Sequence, residues 1–283
     1  MICIYHNDLD GKCAAAIVAK KFNGMNERLL FLKMDYKDHL ELEKIGVVED
    51  VIIVDFSFNP EMMDLLTSHT AGEITWIDHH VTAKDFPYQY LSGLRNFGEK
   101  DSAGCELTWE YFLLDDKVPL AVQLIGDYDK WALKLSDSKS FYEGMKLVPN
   151  EPSSSIWEKL FYDNANCKRI IQMGKVAILY QDNYCENLCK SFGYKTELDG
   201  IKAYACNQYM FGSGGFGKRF HEYPICIAYI HDGEKFMVSL YSETVDVGQI
   251  AKRHGGGGHK GASGFICEEL PFKRSLMKEM AVA

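Results

Sequence analysis

Acidic and histidine side chains stand directly after three short apolar runs of this sequence. In chain order they are His6, Asp8 and Asp10, then Asp55, then Asp78, His79 and His80. Carboxylates gathered at one point repel each other unless cations neutralise them. Mixed imidazole and carboxylate ligands suit Mn, Zn, Fe or Co better than Ca, which prefers oxygen ligands throughout. The set is large enough for two divalent ions, and Asp55 is the best candidate for a ligand shared by both.

The apolar runs predict the strands that would position these side chains. Strands are expected at 2–5, 29–34, 51–54 and 74–77, with helices over 11–22 and from Pro60 onward. Strands that alternate with helices favour a parallel α/β sheet. The carboxyl ends of strands in such a sheet open on one crevice. We therefore expect the polar residues, together with Asp127, to converge there.

The rest of the chain predicts a helical region followed by a second strand-rich region. Helices are expected over 102–114 and 175–188, separated by an exposed Pro- and Ser-rich connection at 149–155. From residue 194 strands return, and an Asp-Gly pair predicts a hairpin between 225–230 and 235–241. A helix over 247–253 then ends at four glycines. Two domains are predicted, 1–190 with the metal ligands and 191–283.

Composition excludes several classes of protein. The 283 residues carry a formal net charge of −9, which disfavours a protein that coats duplex DNA without sequence preference. The nine cysteines form no C-x-x-C pair, so neither a zinc ribbon nor a thioredoxin-type site is indicated. No apolar run approaches the length of a membrane span, and no export signal is evident. A cytoplasmic protein with free thiols is expected.

Two motifs resemble a known family. The run His6-Asn7-Asp8-Leu9-Asp10-Gly11, with Asp55 and Asp78-His79-His80, resembles the first three motifs of the DHH phosphoesterases. The run GGGGHKGASG, from Gly255 to Gly264, resembles the glycine-rich motif of their C-terminal DHHA1 domain. The resemblance implies an α/β fold: an N-terminal parallel-sheet DHH-type domain with a helical connection to a smaller α/β DHHA1-type domain. The short oligoribonuclease-like members are the most similar.

The resemblance also implies roles for individual residues. Two divalent ions, usually Mn²⁺, would be held by His6 and Asp8 on one side and Asp10 and His79 on the other, with Asp55 between them. His80 would contact the substrate phosphate and Asp78 would orient the histidine pair. The last ligand would be Asp127, with Asp129 as its rival. The implied substrate-binding residues are Arg253, Gly256, Gly257, Gly258, His259 and Lys260.

The implied activity is phosphodiester hydrolysis, as a 3′-5′ exonuclease on short single-stranded RNA. Four alternatives stay open: a phosphomonoesterase on adenosine 3′,5′-bisphosphate, a cyclic-dinucleotide phosphodiesterase, an exopolyphosphatase, and a nucleotide-binding protein without activity. A small nucleotide is therefore an alternative substrate, no membrane partner is expected, and a homodimer is an allowed assembly.

Overall fold

The computed structural model describes residues 1–24, 28–98 and 102–274. The chain divides into two compact units, Met1–Ala177 and Ile178–Ala283, and the division falls inside one long helix. The boundary predicted from the sequence, after residue 190, lies near the end of that same helix.

The first unit contains a four-stranded parallel sheet. Its strands are β1 (Ile2–His6), β2 (Leu30–Met34), β3 (Val51–Val54) and β4 (Ile74–Ile77), in the spatial order β2-β1-β3-β4. Side chains alternate between the faces, so that Ile2 and Ile4 enter one apolar core while Cys3 and Tyr5 enter the other. Both faces of β1, β3 and β4 are buried, which explains why these strands are largely apolar, whereas the edge strand β2 is partly exposed and includes Lys33. The predicted parallel sheet is confirmed.

In the described residues the first unit contains six complete helices and the beginning of a seventh, which continues into the second unit. They are α1 (Leu9–Phe22), α2 (Pro60–His69), α3 (Gly104–Leu113), α4 (Leu120–Asp129), α5 (Ser138–Met145), α6 (Ile156–Tyr162) and α7 (Asn164–Phe192). Asp8 begins α1, because its Oδ1 accepts the Gly11 N–H at 2.9 Å. Asn59 caps α2 in the same way, with Pro60 in the first turn. The connection at 149–155 contains no helix or strand, as predicted.

The helical region contains three helices that were not predicted individually, α4, α5 and α6, and its last helix is longer than predicted. Helix α7 begins at Asn164 rather than at residue 175. Gly174 has low helix propensity and predicts a break. In the structure α7 passes so close to α5 that a Cβ on Gly174 would lie 1.7 Å from the Ser140 carbonyl oxygen. Packing therefore requires the glycine and outweighs its propensity.

The second unit is built on a six-stranded mixed sheet. Its strands are β5 (Tyr194–Leu198), β6 (Ile201–Asn207), β7 (Ile225–His231), β8 (Phe236–Tyr241), β9 (Gly257–Gly258) and β10 (Ala262–Cys267). The spatial order is β5-β6-β7-β8-β10-β9, and only β6 and β7 pair in parallel among these strands. Two helices, α8 (Arg219–Glu222) and α9 (Val247–Arg253), complete the unit. The predicted hairpin is confirmed: Asp232 closes its turn by accepting the backbone N–H groups of Glu234 and Lys235.

All nine cysteines are free thiols, and eight of them are buried. In the described ranges no helix combines the length and apolarity that a membrane span needs.

Candidate metal centre

The polar residues predicted to converge do so at the carboxyl edge of the parallel sheet, with the exception of Asp127. The strand order reverses between β1 and β3, and ligands of open α/β sheets bind outside such a point. Three groups of possible ligand atoms, each within 4.8 Å of one another, lie at this edge. They are His6, Asp8 and Asp55; Asp10, His79 and Asp129; and Asp55, His79 and His80.

The first group joins the end of β1 to the end of β3. His6 Nδ1 lies 3.1 Å from Asp8 Oδ2 and 3.7 Å from Asp55 Oδ2. Asp8 uses its other oxygen, Oδ1, to cap α1, and this fixes the carboxylate with Oδ2 toward His6. One aspartate thus both begins a helix and offers a ligand atom.

The second group surrounds His79, which follows β4. Its Nε2 lies 3.5 Å from Asp129 Oδ2 and 3.8 Å from Asp10 Oδ2. It also lies 3.1 Å from Asp55 Oδ1. Asp55 therefore presents one oxygen to each group, which is the position predicted for a shared ligand.

The inner atoms of this cluster lack hydrogen-bond partners within the described part of the chain. Four buried atoms lie close to one another but make no hydrogen bond of regular geometry: His6 Nδ1, His79 Nε2 and both carboxylate oxygens of Asp55, a residue that is 1% exposed. An unpaired buried polar group costs free energy, and a buried carboxylate costs more. Divalent cations would satisfy all four atoms, so the residues fit the predicted pair of ions.

Asp55 reaches its position through an unusual backbone conformation. Its φ is +54°, in the left-handed region that aspartate tolerates better than most residues. The first residue of α3 leaves room for it, since a Cβ on Gly104 would lie 2.5 Å from the Asp55 Cβ. The N-terminus of α3 also holds Asp10, whose carboxylate accepts the Gly104 and Cys105 N–H groups at 2.7 and 3.0 Å.

Burial and mutual repulsion raise the pKa values of the clustered carboxylates. The pKa of Asp10 rises to about 8, first through burial and then through the charge of Asp55. Burial and the charge of Asp10 raise the pKa of Asp129 to about 7. The pKa of Asp55 rises well above its ordinary value, through burial and then the charge of Asp8. Burial and repulsion thus disfavour the ionised carboxylates, and bound cations would offset this cost.

The Asp78-His79-His80 turn is organised by its first residue. Asp78 is fully buried, and its Oδ1 lies 2.8 Å from both the His79 backbone nitrogen and His80 Nδ1. Ser57 donates a hydrogen bond to its Oδ2. Asp78 thus lies where an orienting residue should. Sequence reasoning missed Ser57, whose only signal is that it follows Asp55 by two residues.

A fourth strand end also reaches the site and was missed. Asp35 follows β2, and its Oδ1 lies 3.7 Å from His6 Nε2. The ring of Tyr36 lies 5.3 Å from the His6 ring and 5.8 Å from that of His80. Asp35 and Tyr36 directly follow β2, and this position at a strand end is the signal in the sequence that identifies them.

The last ligand requires a correction, because Asp127 faces away from the cluster. Its carboxylate accepts the N–H groups of Lys134 and Leu135, at 2.9 and 3.0 Å, and the Ser138 hydroxyl. Asp129, the rival, contacts His79 instead. Asp127 therefore stabilises the turn after α4, and Asp129 is the residue that joins the candidate ligands.

The predicted substrate-binding residues all lie in the second unit. Gly257 and Gly258 form β9, which pairs with β10, and a tight turn links His259 to Ala262. His259 and Lys260 are exposed. Arg253 is exposed but bonded, because its Nη2 lies 2.7 Å from Asp199 Oδ2. A role of these residues in binding substrate stays a prediction.

Comparison by sequence finds one curated relative of limited similarity. No protein-family model matches the chain. Uncharacterized protein R106 of Acanthamoeba polyphaga mimivirus is 26% identical over 241 residues, which are 80% of this chain and 56% of that protein. The chain thus spans little more than half the length of this relative.

Comparison by structure identifies the fold. The DHH domain of a protein described as a member of a family of ribosomal proteins has a TM-score of 0.58 at 16% identity, covering 94% of this chain and 82% of that one. The exonuclease RecJ bound to manganese scores 0.54 at 13% identity, with coverage of 95% and 86%. The pGpG-specific phosphodiesterase PggH from Vibrio cholerae scores 0.52 at 14% identity, with coverage of 94% and 92%. This chain therefore has the fold of the DHH-domain proteins, with a cluster of histidines and aspartates at the carboxyl edge of its parallel sheet.

Proposed function

We propose that this chain is a divalent-metal-dependent phosphoesterase of the DHH family that removes nucleotides from short oligoribonucleotides. The observation that carries the proposal is the buried Asp55 carboxylate, whose two unpaired oxygens face His6 on one side and His79 on the other. A phosphoester needs charge neutralisation and an activated water, and a paired-cation site provides both.

The structural neighbours support this class of substrate. RecJ is an exonuclease, and PggH is a phosphodiesterase specific for pGpG. Both cleave bonds between nucleotides, and pGpG is itself a two-nucleotide RNA. A short oligoribonucleotide is therefore the substrate that we propose, with 3′-5′ directionality. A nucleotide-binding protein without activity would not need the cluster of unpaired ligand atoms.

Each ion would have its own ligands and share one. His6 and Asp8 would hold the first, Asp10, His79 and Asp129 the second, and Asp55 both. We propose Mn²⁺, which mixed nitrogen and oxygen ligands suit. When bound, the pair would lower the pKa of a shared water and neutralise negative charge on the phosphate.

The chain's own groups would orient the substrate phosphate. In hydrolysis the oxygen of water forms a bond to phosphorus, the ester bond breaks, and a proton passes to the leaving oxygen. Asp78 holds His80 by Nδ1, which leaves Nε2 available to a phosphate oxygen. Burial opposes the charged imidazolium, but the hydrogen bond to Asp78 and its charge raise the pKa of His80 to about 9. The Asp78 bond favours the protonated ring, whose Nε2–H would donate to a phosphate oxygen.

In this proposal the second unit binds the terminal nucleotide. The contacts to this nucleotide would come from exposed His259 and Lys260, from the glycines at 256–258 and from Arg253. To bind substrate, Arg253 would have to give up its hydrogen bond to Asp199. Small residues let backbone N–H groups approach phosphate closely. A cytoplasmic location and a homodimer stay predictions.

The test compares Asp55→Asn with Asp115→Asn, a matched change of an exposed aspartate outside the cluster. Asp55→Asn should lose bound Mn²⁺ and lower turnover of a two-nucleotide RNA more than about 100-fold, since even the loss of a supporting residue beside a metal ligand costs about 10–100-fold. Metal content is measured by elemental analysis and turnover by product chromatography. Full activity of Asp55→Asn would refute the assignment.

Parallel assays separate the substrate classes and the two units. The wild-type protein is offered RNAs of two to five and of about thirty nucleotides, adenosine 3′,5′-bisphosphate, a cyclic dinucleotide and tripolyphosphate. Preference for a substrate other than the short RNAs would overturn the proposed specificity while keeping the metal site. His259→Ala should retain its metal ions and raise the KM for short RNA.

A further inference from the structure

A cavity beside the candidate metal ligands is walled by aromatic rings. It has a volume of about 120 Å³, and its lining combines three carboxylates, three aromatic rings and two aliphatic side chains: Asp8, Asp10, Asp129, Tyr128, Trp131, Tyr142, Leu9 and Ile125. The ring of Trp131 meets that of Tyr128 edge to face at 5.3 Å, and Tyr128 stacks on Tyr142 at 4.0 Å. Ligand carboxylates and aromatic surface therefore share one small space.

Trp131 is held in this wall by a strained turn. Its φ is +52°, a conformation that costs free energy in a residue other than glycine, and 63% of its surface is exposed. An exposed tryptophan gains little from folding, so packing alone does not account for this position. Strained residues concentrate at ligand-binding sites.

Asp127 supplies the bonds that maintain the turn. Its carbonyl oxygen accepts the N–H groups of Ala132 and Leu133, and its carboxylate accepts those of Lys134 and Leu135. The Trp131 N–H donates to the Tyr128 carbonyl at 2.9 Å. The same turn follows directly after Asp129, so the arrangement that presents a candidate ligand also presents the tryptophan.

A second cavity of about 120 Å³ has two lysines in its lining and shares Asp8 and Tyr142 with the first. Its lining includes Lys12, paired with Glu151 at 3.0 Å, and Lys146, paired with Glu143 at 2.7 Å. Both lysines are thus neutralised within the protein, and the aromatic rings are the feature shared with sites that bind single-stranded nucleic acid by stacking.

We propose that Trp131, supported by Tyr128, stacks on the nucleobase adjacent to the phosphate that is cleaved. This inference rests on the proposed phosphoesterase function and adds a specificity to it: substrates that carry a base are favoured over polyphosphate. When a phosphate is held at the ligand cluster, the base of its nucleotide lies only one ribose away. The aromatic rings are within that reach, because they line the same cavity as the ligand carboxylates.

Binding of reaction products tests the subsite without catalysis. Trp131 is the exposed tryptophan among four, since Trp76, Trp109 and Trp157 are buried. Guanosine 5′-monophosphate in the presence of Mg²⁺ should quench the fluorescence of the wild-type protein, and ribose 5-phosphate should not. Trp131→Phe should lose the quenching. Equal quenching by both compounds, or none by the nucleotide, would overturn the proposal.

Calorimetry and kinetics then measure the contribution of the ring. Trp131→Ala should weaken nucleotide binding and lower kcat/KM for two-nucleotide RNA about 5- to 150-fold, which corresponds to ~1–3 kcal/mol for one stacked base. Binding of ribose 5-phosphate should be unchanged, and Trp131→Phe should retain part of the affinity. Tyr90→Ala removes an aromatic ring that is more exposed, at 72%, and lies outside the cluster, so this variant should have no effect.

The outcomes distinguish the two proposals. If the wild-type protein hydrolyses short RNA and Trp131→Ala binds and cleaves as well as wild type, the subsite is wrong and the proposed function stands. If no phosphoester is hydrolysed but the nucleotide alone quenches Trp131, the proposed function is wrong and the subsite stands.

Discussion

At the scale of single residues, two aspartates only two positions apart have different surroundings. Asp127 points into a turn and accepts three hydrogen bonds through its carboxylate, while Asp129 points to His79 across the cluster. On a helix, residues two apart project to different sides. Their chemistry is the same, and the packing of α4 decides which of them can bind a cation.

The two aspartates should therefore respond differently to substitution. Asp129→Asn should weaken Mn²⁺ binding at one site with little change in the free energy of unfolding, because its side chain is partly exposed and its contact is to the cluster. Asp127→Asn should keep its metal ions but lower the free energy of unfolding by about 1–3 kcal/mol, through loss of charge-assisted hydrogen bonds. Metal titration and denaturant unfolding measure the two effects. The reverse pattern would restore Asp127 as the ligand.

At the scale of secondary-structure elements, the N-terminus of α3 performs two tasks. It donates two backbone N–H groups to Asp10, and its first residue gives Asp55 room to adopt φ = +54°. The positive end of a helix favours a carboxylate beside it, which offsets part of the repulsion within the cluster. The ligands from β1 and β3 are thus held by an element that contributes no ligand itself.

Gly104→Ala tests this arrangement. The new methyl group would meet the Asp55 side chain at 2.5 Å, so Asp55 or α3 must shift, at a cost of about 1–3 kcal/mol. We expect metal affinity and turnover to fall together, measured by metal titration and hydrolysis of a two-nucleotide RNA. Gly46→Ala is the control, since its Cβ would meet only the flexible end of Glu49 at 3.1 Å. Normal metal binding by Gly104→Ala would show that Asp55 does not need this space.

At the scale of the whole molecule, the cluster couples stability to pH and to metal. Without metal, the folded-state pKa values of Asp10 and Asp129, about 8 and about 7, exceed the ordinary 3.8 of both. Burial opposes the charged form of His6, but the nearby carboxylates of Asp55 and Asp8 raise its pKa to about 10. The pKa of His80 is about 9. At a pH between its ordinary pKa and its raised pKa, each of the four groups binds more protons in the folded protein than in the unfolded chain. The free energy of unfolding must therefore fall as the pH rises through this range.

We expect the Tm of the metal-free protein to fall with pH and the stabilisation by metal to grow with pH. The Tm of the metal-free protein should be lower at pH 8 than at pH 6, because raised carboxylate and histidine pKa values both act in this window. With saturating Mn²⁺ the increase in Tm over the metal-free protein should be larger at pH 8, since fewer protons compete for the ligands. Thermal unfolding with chelator and with Mn²⁺ measures both. A metal-induced increase that shrinks from pH 6 to pH 8 would contradict the assignment of these groups as ligands.

Local features of the sequence determined the strands, the hairpin and most candidate ligands. Apolar runs of strand length, an Asp-Gly turn and polar residues at strand ends are each properties of a few consecutive residues. The parallel sheet then implies that its carboxyl ends meet, which is why His6, Asp55 and His79 could be placed together before any coordinates were known.

Only the tertiary structure decided between Asp127 and Asp129, revealed the support from Ser57 and Gly104, and placed Trp131 in the wall of the metal cavity. Each of these depends on how far a helix is rotated or how closely two distant segments approach. Sequence periodicity specifies which face of an element is apolar but not which polar residue at its end meets a partner from another strand. Contacts between such segments are set by packing of the whole unit, and a positive φ at a tryptophan leaves no mark in the sequence.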